Sequence, residues 1–114
     1  MTLRALTTEE GGRRGPIASG YRPDCWFGEY RDGQRLLHGL VFHVREGADA
    51  YEDDGTLWVP LGGSCVADAV VRYPSYLRPL VSVGMPFDVH EGHTVTARGV
   101  VDEIFDPGPE HDFA

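Results

Sequence analysis

Short stretches in which apolar and polar residues alternate, separated by glycine and proline, constrain this chain most strongly. The clearest example has Met85, Phe87 and Val89 alternating with proline or polar residues up to Glu91-Gly92, and a second alternating stretch follows. A period of two is typical of β-strands with one buried face, whereas an amphipathic helix repeats every 3.6 residues. Fifteen glycines and eight prolines in 114 residues indicate many turns and few long helices. The pattern predicts a single all-β barrel or sandwich.

The same periodicity sets the expected element boundaries. The predicted strands cover residues 2–8, 24–30, 36–45, 56–61, 64–73, 85–90 and 94–101. Cys65, Ala67, Ala69, Val71 and Tyr73 are expected to point inward from one of them. The predicted loops are residues 13–22, which lack periodicity, and the acidic segment 46–55. Residues 106–114 are expected to form a flexible tail, and Gly99 within the last strand indicates a bulge or a close backbone approach.

The charge of the chain disfavours several classes of function. A formal net charge of −8 repels phosphate backbones, so general nucleic-acid binding is not expected. The ten cationic side chains are all arginine, which fits a biased genome composition, and Arg13, Arg14 and Arg22 form the most basic region. Two widely spaced cysteines, no secretory signal and no apolar run of membrane-spanning length predict a reduced cytoplasmic protein without a membrane partner.

Two glycine-rich segments near the N-terminus carry a family resemblance. Residues 6–16 read Leu-Thr-Thr-Glu-Glu-Gly-Gly-Arg-Arg-Gly-Pro, and residues 20–23 read Gly-Tyr-Arg-Pro. They closely resemble the start of the C-terminal β-barrel of bacterial elongation factor Tu, which reads Leu-(Ser/Thr)-x-(Asp/Glu)-Glu-Gly-Gly-Arg-His-Thr-Pro and then Gly-Tyr-Arg-Pro. Residues 84–92 resemble that family's Gly-Leu-Arg-Phe-Ala-Ile-Arg-Glu-Gly, and residues 99–101 resemble its closing Gly-Val-Val.

The resemblance covers most of residues 3–105, with an insertion around residues 31–58. It implies a small, closed, antiparallel six-stranded barrel of Greek-key type over residues 1–105. In the family this barrel follows a GTPase domain and a second barrel, and this sequence contains neither. With no lysine, the chain has no P-loop of the form Gly-x-x-x-x-Gly-Lys-(Ser/Thr), so we expect no GTP binding by that route and no cofactor.

The resemblance also implies where RNA would bind. In elongation factor Tu the last hairpin of this barrel grips the T stem of aminoacyl-tRNA through arginines, because cations pair with phosphates. Here Pro86 and His90 stand at two of those arginine positions, and His93 begins the stretch that replaces Gly-Arg-Thr. Arg98 restores one cation nearby. His90, His93 and Arg98 are therefore the candidate residues of a weakened RNA site.

The segments that keep the family pattern indicate a protein-binding face instead. In the family they lie near the surface that docks the GTPase domain. The candidate partner-binding residues are Gly11, Gly12, Arg13, Arg14, Gly20, Tyr21, Arg22 and Pro23. Turn geometry alone explains the glycines and the proline. Arginine can make bidentate contacts with carboxylates, and tyrosine offers a ring and a hydroxyl, which turn geometry does not require.

No other constellation predicts chemistry. His90 and His93 flank a tight turn as exposed histidines and lack the further ligands of a structural zinc site, so no metal is expected. Neither Cys25 nor Cys65 lies in a setting that would activate a thiolate, so we do not expect an enzyme.

Two functional hypotheses follow. The first is a non-catalytic module that docks a protein partner in or near the translation machinery, as a modulator or mimic of elongation factor Tu. The second is an RNA-binding module whose binding weakens with salt and strengthens at acidic pH as its histidines charge.

Overall fold

Six β-strands close into a barrel in the computed structural model, which describes residues 1–105. The elements are β1 (Thr2–Ala5), β2 (Ile17–Ala18), β3 (Asp24–Arg31), β4 (Gln34–Glu46), β5 (Tyr51–Asp53), β6 (Thr56–Val59), β7 (Ser64–Val71), α1 (Pro74–Leu77), a 3₁₀ helix (Arg78–Leu80), β8 (Pro86–Glu91) and β9 (Thr94–Val100). The all-β prediction is confirmed. The expected tail, residues 106–114, lies outside the described residues.

The barrel strands follow the ring order β1-β7-β4-β3-β8-β9, and β9 returns to pair with β1. Every pairing in the ring is antiparallel. Strands β3, β4 and β7 are neighbours in ring order, and β1, which precedes them in the chain, lies beside β7, which is a Greek-key arrangement. The closed antiparallel six-stranded sheet expected from the sequence is therefore present.

A second, three-stranded sheet in the order β2-β6-β5 lies outside the ring. It corrects two predictions, because residues 13–22 contain β2 and residues 46–55 contain β5 where loops were expected. Asp54 and Gly55 have φ angles of 53° and 78°, the positive values that a two-residue hairpin turn of type I′ requires. Every residue of β5 is exposed, so the strand can consist largely of acidic residues. The prediction of a loop from this acidic composition was therefore wrong.

Three phenylalanine rings from three barrel strands form the centre of the core. Phe87 of β8 stacks on Phe27 of β3 and on Phe42 of β4, with ring centroids 5.1 and 6.3 Å apart. Leu77 of α1 is also buried and joins the same apolar cluster. Tyr73 was expected to point inward, but β7 ends at Val71 and Tyr73 is 41% exposed. Pro74 occupies the first turn of α1, a position that favours proline.

Gly99 allows the closest approach inside the barrel. A Cβ atom at this position would lie 2.4 Å from Cζ of Phe87 and 2.8 Å from Cδ2 of Leu3. Gly99 therefore marks a close approach and not a bulge. The irregularity of the β8–β9 pairing lies between Val89 and His90. The extra residue there is Thr96, whose side chain is buried although the alternation placed it outside.

We expect Gly99→Ala to lower the free energy of unfolding by about 1–3 kcal/mol, because the added methyl group overpacks the core against Phe87 and Leu3. Urea denaturation measures the change. Gly39→Ala is the matched control, since a Cβ there would meet only one Asp24 carboxylate oxygen at 3.8 Å. A loss of stability at Gly39 equal to that at Gly99 would contradict the explanation.

Candidate functional site

The first candidate residues, Gly11 and Gly12, shape a turn after β1. Gly11 has a φ of +87°, and a Cβ at Gly12 would lie 2.7 Å from the carbonyl oxygen of Leu6. The Glu10 carboxylate closes the turn by accepting hydrogen bonds from the Arg4 guanidinium and, at 3.0 Å, from the Thr7 amide. These bonds, that from Arg4 foremost, lower the pKa of Glu10 to about 2. Backbone geometry therefore accounts for both glycines.

Arg13 and Tyr21 meet beside the last hairpin. The Arg13 guanidinium lies 5.3 Å from the centre of the Tyr21 ring, and its Nε is 3.5 Å from Oε2 of Glu91. The Tyr21 hydroxyl is 2.7 Å from Oγ1 of the buried Thr96. Burial is the main reason that the pKa of Tyr21 rises to about 12. A shallow depression, the hairpin cleft, is lined by Gly12, Arg13, Arg14, Gly15, Glu91, Thr94 and Thr96.

His90, a candidate RNA contact that was expected at the surface, is buried in the barrel wall. The residue is 6% exposed, and its Nε2 lies 2.9 Å from Nη1 of Arg35. A guanidinium only donates hydrogen bonds, so Nε2 is the acceptor in this contact. Arg35 also stacks on Trp26, 3.7 Å from the ring centre, and donates to Asp88 at 2.9 Å. His90 therefore stabilises the wall and offers no exposed cation.

The other two candidate RNA residues are exposed and lie at different places on the last hairpin. His93 lies in the β8–β9 turn, and Arg98 lies on β9 opposite Asp88, with Nε 3.6 Å from a carboxylate oxygen. The structure does not bring His90, His93 and Arg98 together into one cationic surface. It brings Arg13 and Arg14 to the hairpin instead, which the linear sequence did not indicate.

Arg22 and Pro23 lie at a different place, on the wall formed by β3, β4 and β7. Two concave stretches share Asp24, Gly39, Val71 and Arg72 and form one surface, which we call the Arg22 groove. Arg22, Arg31 and Arg72 supply its cations, and Asp24 and Glu29 its carboxylates. Its apolar surface includes Val41, Val70, Tyr73 and Tyr76.

The sequence pattern did not predict that apolar and aromatic side chains of the groove would be exposed. Val70 is 46% exposed and Tyr76 is 74% exposed, although both are large and apolar or aromatic. Tyr73 and Tyr76 flank Pro74 in a stretch that was predicted only as the end of a strand and an irregular connection. Two exposed tyrosines around a proline were the available signal, but only the ring order places them in one groove with Arg31 of β3.

Ion pairing separates the arginines of the described residues into two groups. Arg4, Arg13, Arg35, Arg45 and Arg98 each lie within 4.0 Å of a carboxylate. Arg78 is also engaged. Within residues 1–105, Arg14, Arg22, Arg31 and Arg72 make no salt bridge, and the last three of these line the Arg22 groove. Cations without a salt bridge to a described residue are thus concentrated on one face of a chain whose net charge is −8, and of these the Arg72 guanidinium lies 5.5 Å from the centre of the Tyr73 ring.

Both thiols are buried and free. Burial raises the pKa of Cys25 and of Cys65, so the reactive thiolate is disfavoured at neutral pH. No cluster of three or more potential metal ligands occurs among residues 1–105.

No protein-family model matches this chain, and no curated protein shows significant similarity to it. The resemblance to elongation factor Tu therefore rests on the sequence segments quoted above. No helix in the described part of the chain is both long and apolar enough to cross a bilayer.

His38, in the wall of the groove, is partly buried, and its Nε2 atom is shielded from solvent. Its ring packs against the edge of Phe27, with centroids 6.2 Å apart, and its Nε2 has no hydrogen-bond partner within the described residues. Burial lowers the pKa of His38 below its usual 6.5, although Glu29 acts in the opposite direction. As the pH falls below about 6.5, the unfolded chain takes up a proton before the folded chain does, so folding loses stability.

We expect His38→Leu to be as stable as the parent at pH 8, or more stable by about 1 kcal/mol, because it removes an unsatisfied buried nitrogen. Between pH 7 and pH 5 the parent should lose stability relative to the variant. Denaturant midpoints across this range provide the measurement. His43→Leu, on the exposed side of the same strand, keeps His38 and should keep the parental pH dependence. Identical pH profiles for His38→Leu and the parent would refute this account.

Proposed function

We propose that this protein is a non-catalytic binding module that docks an acidic protein surface through the Arg22 groove. One observation carries the proposal: the Arg22 groove, which has an apolar surface, is lined by Arg22, Arg31 and Arg72. None of these three arginines makes a salt bridge to a described residue. Arginine pairs with carboxylates in a planar, bidentate geometry that lysine does not match. Exposed tyrosines beside these arginines match the residue types that contribute most energy to protein interfaces.

The composition of the groove favours a protein over RNA. Asp24 and Glu29 lie among the three arginines and would repel phosphates, but they can accept hydrogen bonds from a protein partner. Val41 and Val70 provide a surface for an aliphatic or aromatic side chain. A partner with carboxylates around an apolar residue would satisfy all of these groups together.

The family resemblance supplies the first partner to examine. In elongation factor Tu, the segments that match residues 11–13 and 20–23 lie near the face that docks the GTPase domain. Of these residues, Arg22 lines the groove, whereas Arg13 is already paired with Glu91. A barrel with this surface would imitate the factor's own barrel and modulate translation. We therefore propose the GTPase domain of elongation factor Tu as the partner.

The test is the binding of purified bacterial elongation factor Tu and of its isolated GTPase domain, measured by isothermal titration calorimetry. Arg22→Gln/Arg72→Gln should weaken binding by at least about 100-fold, because the two charged hydrogen bonds that are lost contribute roughly 1.5–3 kcal/mol each. Arg4→Gln/Arg98→Gln has the same net charge, changes strands on the other side of the ring and should bind like the parent. Failure of the parent to bind either protein would reject this partner, and equal losses in both variants would reject the groove.

RNA binding is the alternative, and one observation favours the hairpin cleft as its place. Arg14 is exposed and makes no salt bridge within residues 1–105, and it lies in the same cleft as the last hairpin. In elongation factor Tu that hairpin grips the T stem of tRNA.

If this alternative holds, bulk bacterial tRNA should bind and should lose affinity as salt rises. Arg14→Ala should lower the slope of log K against log salt by about one and should weaken binding to all sequences alike. Fluorescence anisotropy at several salt concentrations measures both effects. Arg22→Ala is the control that spares the cleft. A salt-independent signal would exclude the alternative.

A further inference from the structure

The β5–β6 hairpin carries a surface complementary to the Arg22 groove. Residues 46–71 contain no arginine, lysine or histidine, and the first part of this stretch is strongly acidic. Its carboxylates before the turn glycine are Glu46, Asp49, Glu52, Asp53 and Asp54. None of these five makes a salt bridge to a described residue. Tyr51, 45% exposed, supplies an aromatic ring among them.

The hairpin is held in place before any contact is made. Tyr51 pairs with Trp58 and Asp53 with Thr56, and the positive φ angles of Asp54 and Gly55 fix the turn. Strand β6 is anchored on its other side by β2, where Ile17 pairs with Val59. Binding of a rigid element sacrifices little conformational entropy, which leaves more of the contact energy for affinity.

The groove and the hairpin do not meet within one molecule. None of residues 46–59 lines the groove. The groove includes Gly39 and Val41 on β4, whereas the hairpin follows the end of β4 at Glu46, about 17 Å further along the strand at 3.3 Å per residue. Each molecule therefore presents a cationic groove and an anionic hairpin at separate places.

We propose that the Arg22 groove binds the acidic β5–β6 hairpin of a second copy of this chain. The carboxylates of Asp53, on β5, and of Asp54, at the turn, pair with Arg22 and Arg72, and Tyr51, which shares a strand face with Asp53, packs on the apolar surface that includes Val70. The contact joins two different surfaces, so it is heterologous and adds molecules head to tail until a ring closes or the chain of molecules ends. The inference uses the same groove as the proposed function but does not depend on its partner.

The net charge of −8 does not prevent this contact. At an ionic strength of 0.15 M the Debye length is about 8 Å, so repulsion between distant carboxylates is largely screened while pairs in contact remain. The groove contains three arginines against two carboxylates, and the hairpin contains carboxylates without any cation. Attraction is local, and it should weaken strongly at 1 M salt, where the Debye length is about 3 Å.

Sedimentation velocity on the purified chain tests the inference. The weight-average mass should rise above the monomer over roughly 20 µM to 1 mM, the range expected for a small transient contact, and should return to the monomer in 1 M salt. A groove variant, Arg22→Gln/Arg72→Gln, and a hairpin variant, Asp53→Asn/Asp54→Asn, should each remain monomeric. The matched variants Arg4→Gln/Arg98→Gln and Glu9→Gln/Glu103→Gln should associate like the parent.

Mixing the two monomeric variants gives the decisive result. The intact hairpin of the groove variant should bind the intact groove of the hairpin variant, which yields a dimer of twice the monomer mass that grows no further. With the hairpin variant labelled with ¹⁵N, amide shifts should concentrate at Gly39, Val41 and Val70. A mixture that stays monomeric, or a dimer whose shifts lie elsewhere, overturns the inference.

The outcomes also separate this inference from the proposed function. A parent chain that is monomeric at 1 mM and still binds elongation factor Tu through the groove overturns self-association alone. A chain that self-associates through the groove but binds neither elongation factor Tu nor its GTPase domain overturns the proposed partner alone. A parent chain that stays monomeric at 1 mM, binds neither elongation factor Tu nor its GTPase domain and shows groove shifts with bulk tRNA would identify RNA as the occupant and overturn both.

Discussion

Closure of the barrel depends on β1, because this strand of four residues pairs with β7 on one side and with β9 on the other. Leu3 lies opposite Cys65 and opposite Gly99, and it shares the space above Gly99 with the Phe87 ring. The terminal ammonium of Met1 adds a hydrogen bond of 2.9 Å to the carbonyl oxygen of Ala67. The first strand of the Greek key therefore joins both ends of the ring, and Gly99 is the position that lets it fit.

A closed ring limits the ways in which the barrel can bind a partner. Its backbone groups are paired between neighbouring strands, so addition of a partner strand to the ring is not available and outward side chains must carry recognition. Most outward arginines are already paired: Arg98 and Arg35 with Asp88, and Arg45 with Asp68. The exposed pair of Arg45 and Asp68 contributes little stability, but each of these pairs removes a cation from the surface that a partner meets. The surface that remains is concentrated in the Arg22 groove.

The sequence predicted the wall of the barrel well because alternation and turn residues are local signals. Phe87 and Val89 are buried as the alternation requires, and the β8–β9 hairpin turns at the predicted glycine. The errors occur where another constraint overrides alternation. Thr96 is buried by an irregular pairing that brings its hydroxyl to Tyr21, and the acidic β5 is a strand although nothing on it is buried.

The candidate site was less predictable because it depends on ring order. Tyr21 and Arg22 are adjacent in sequence, yet Tyr21 contacts Thr96 of β9 while Arg22 lines a groove with Arg72, fifty positions away. Neighbours on an extended segment point to opposite sides, so one motif contributes to two surfaces. Pairing between Val41 and Val70 brings the groove residues of β4 and β7 together, and no local pattern specifies it.

In any single molecule, the Arg22 groove can hold either a protein partner or the hairpin of a second copy, but not both. A partner surface and the hairpin of a second copy would use the same arginines, so binding of one excludes the other by linkage. Self-association would then reduce the fraction of free grooves as the chain accumulates, and the apparent affinity for a partner would fall by that fraction. The hairpin stays exposed when a partner fills the groove, because the two surfaces lie at opposite parts of β4. A molecule whose groove is filled by a partner could still place its hairpin in the groove of one neighbour. Binding of the partner would therefore stop growth of the assembly at that molecule's groove and leave the other end able to grow.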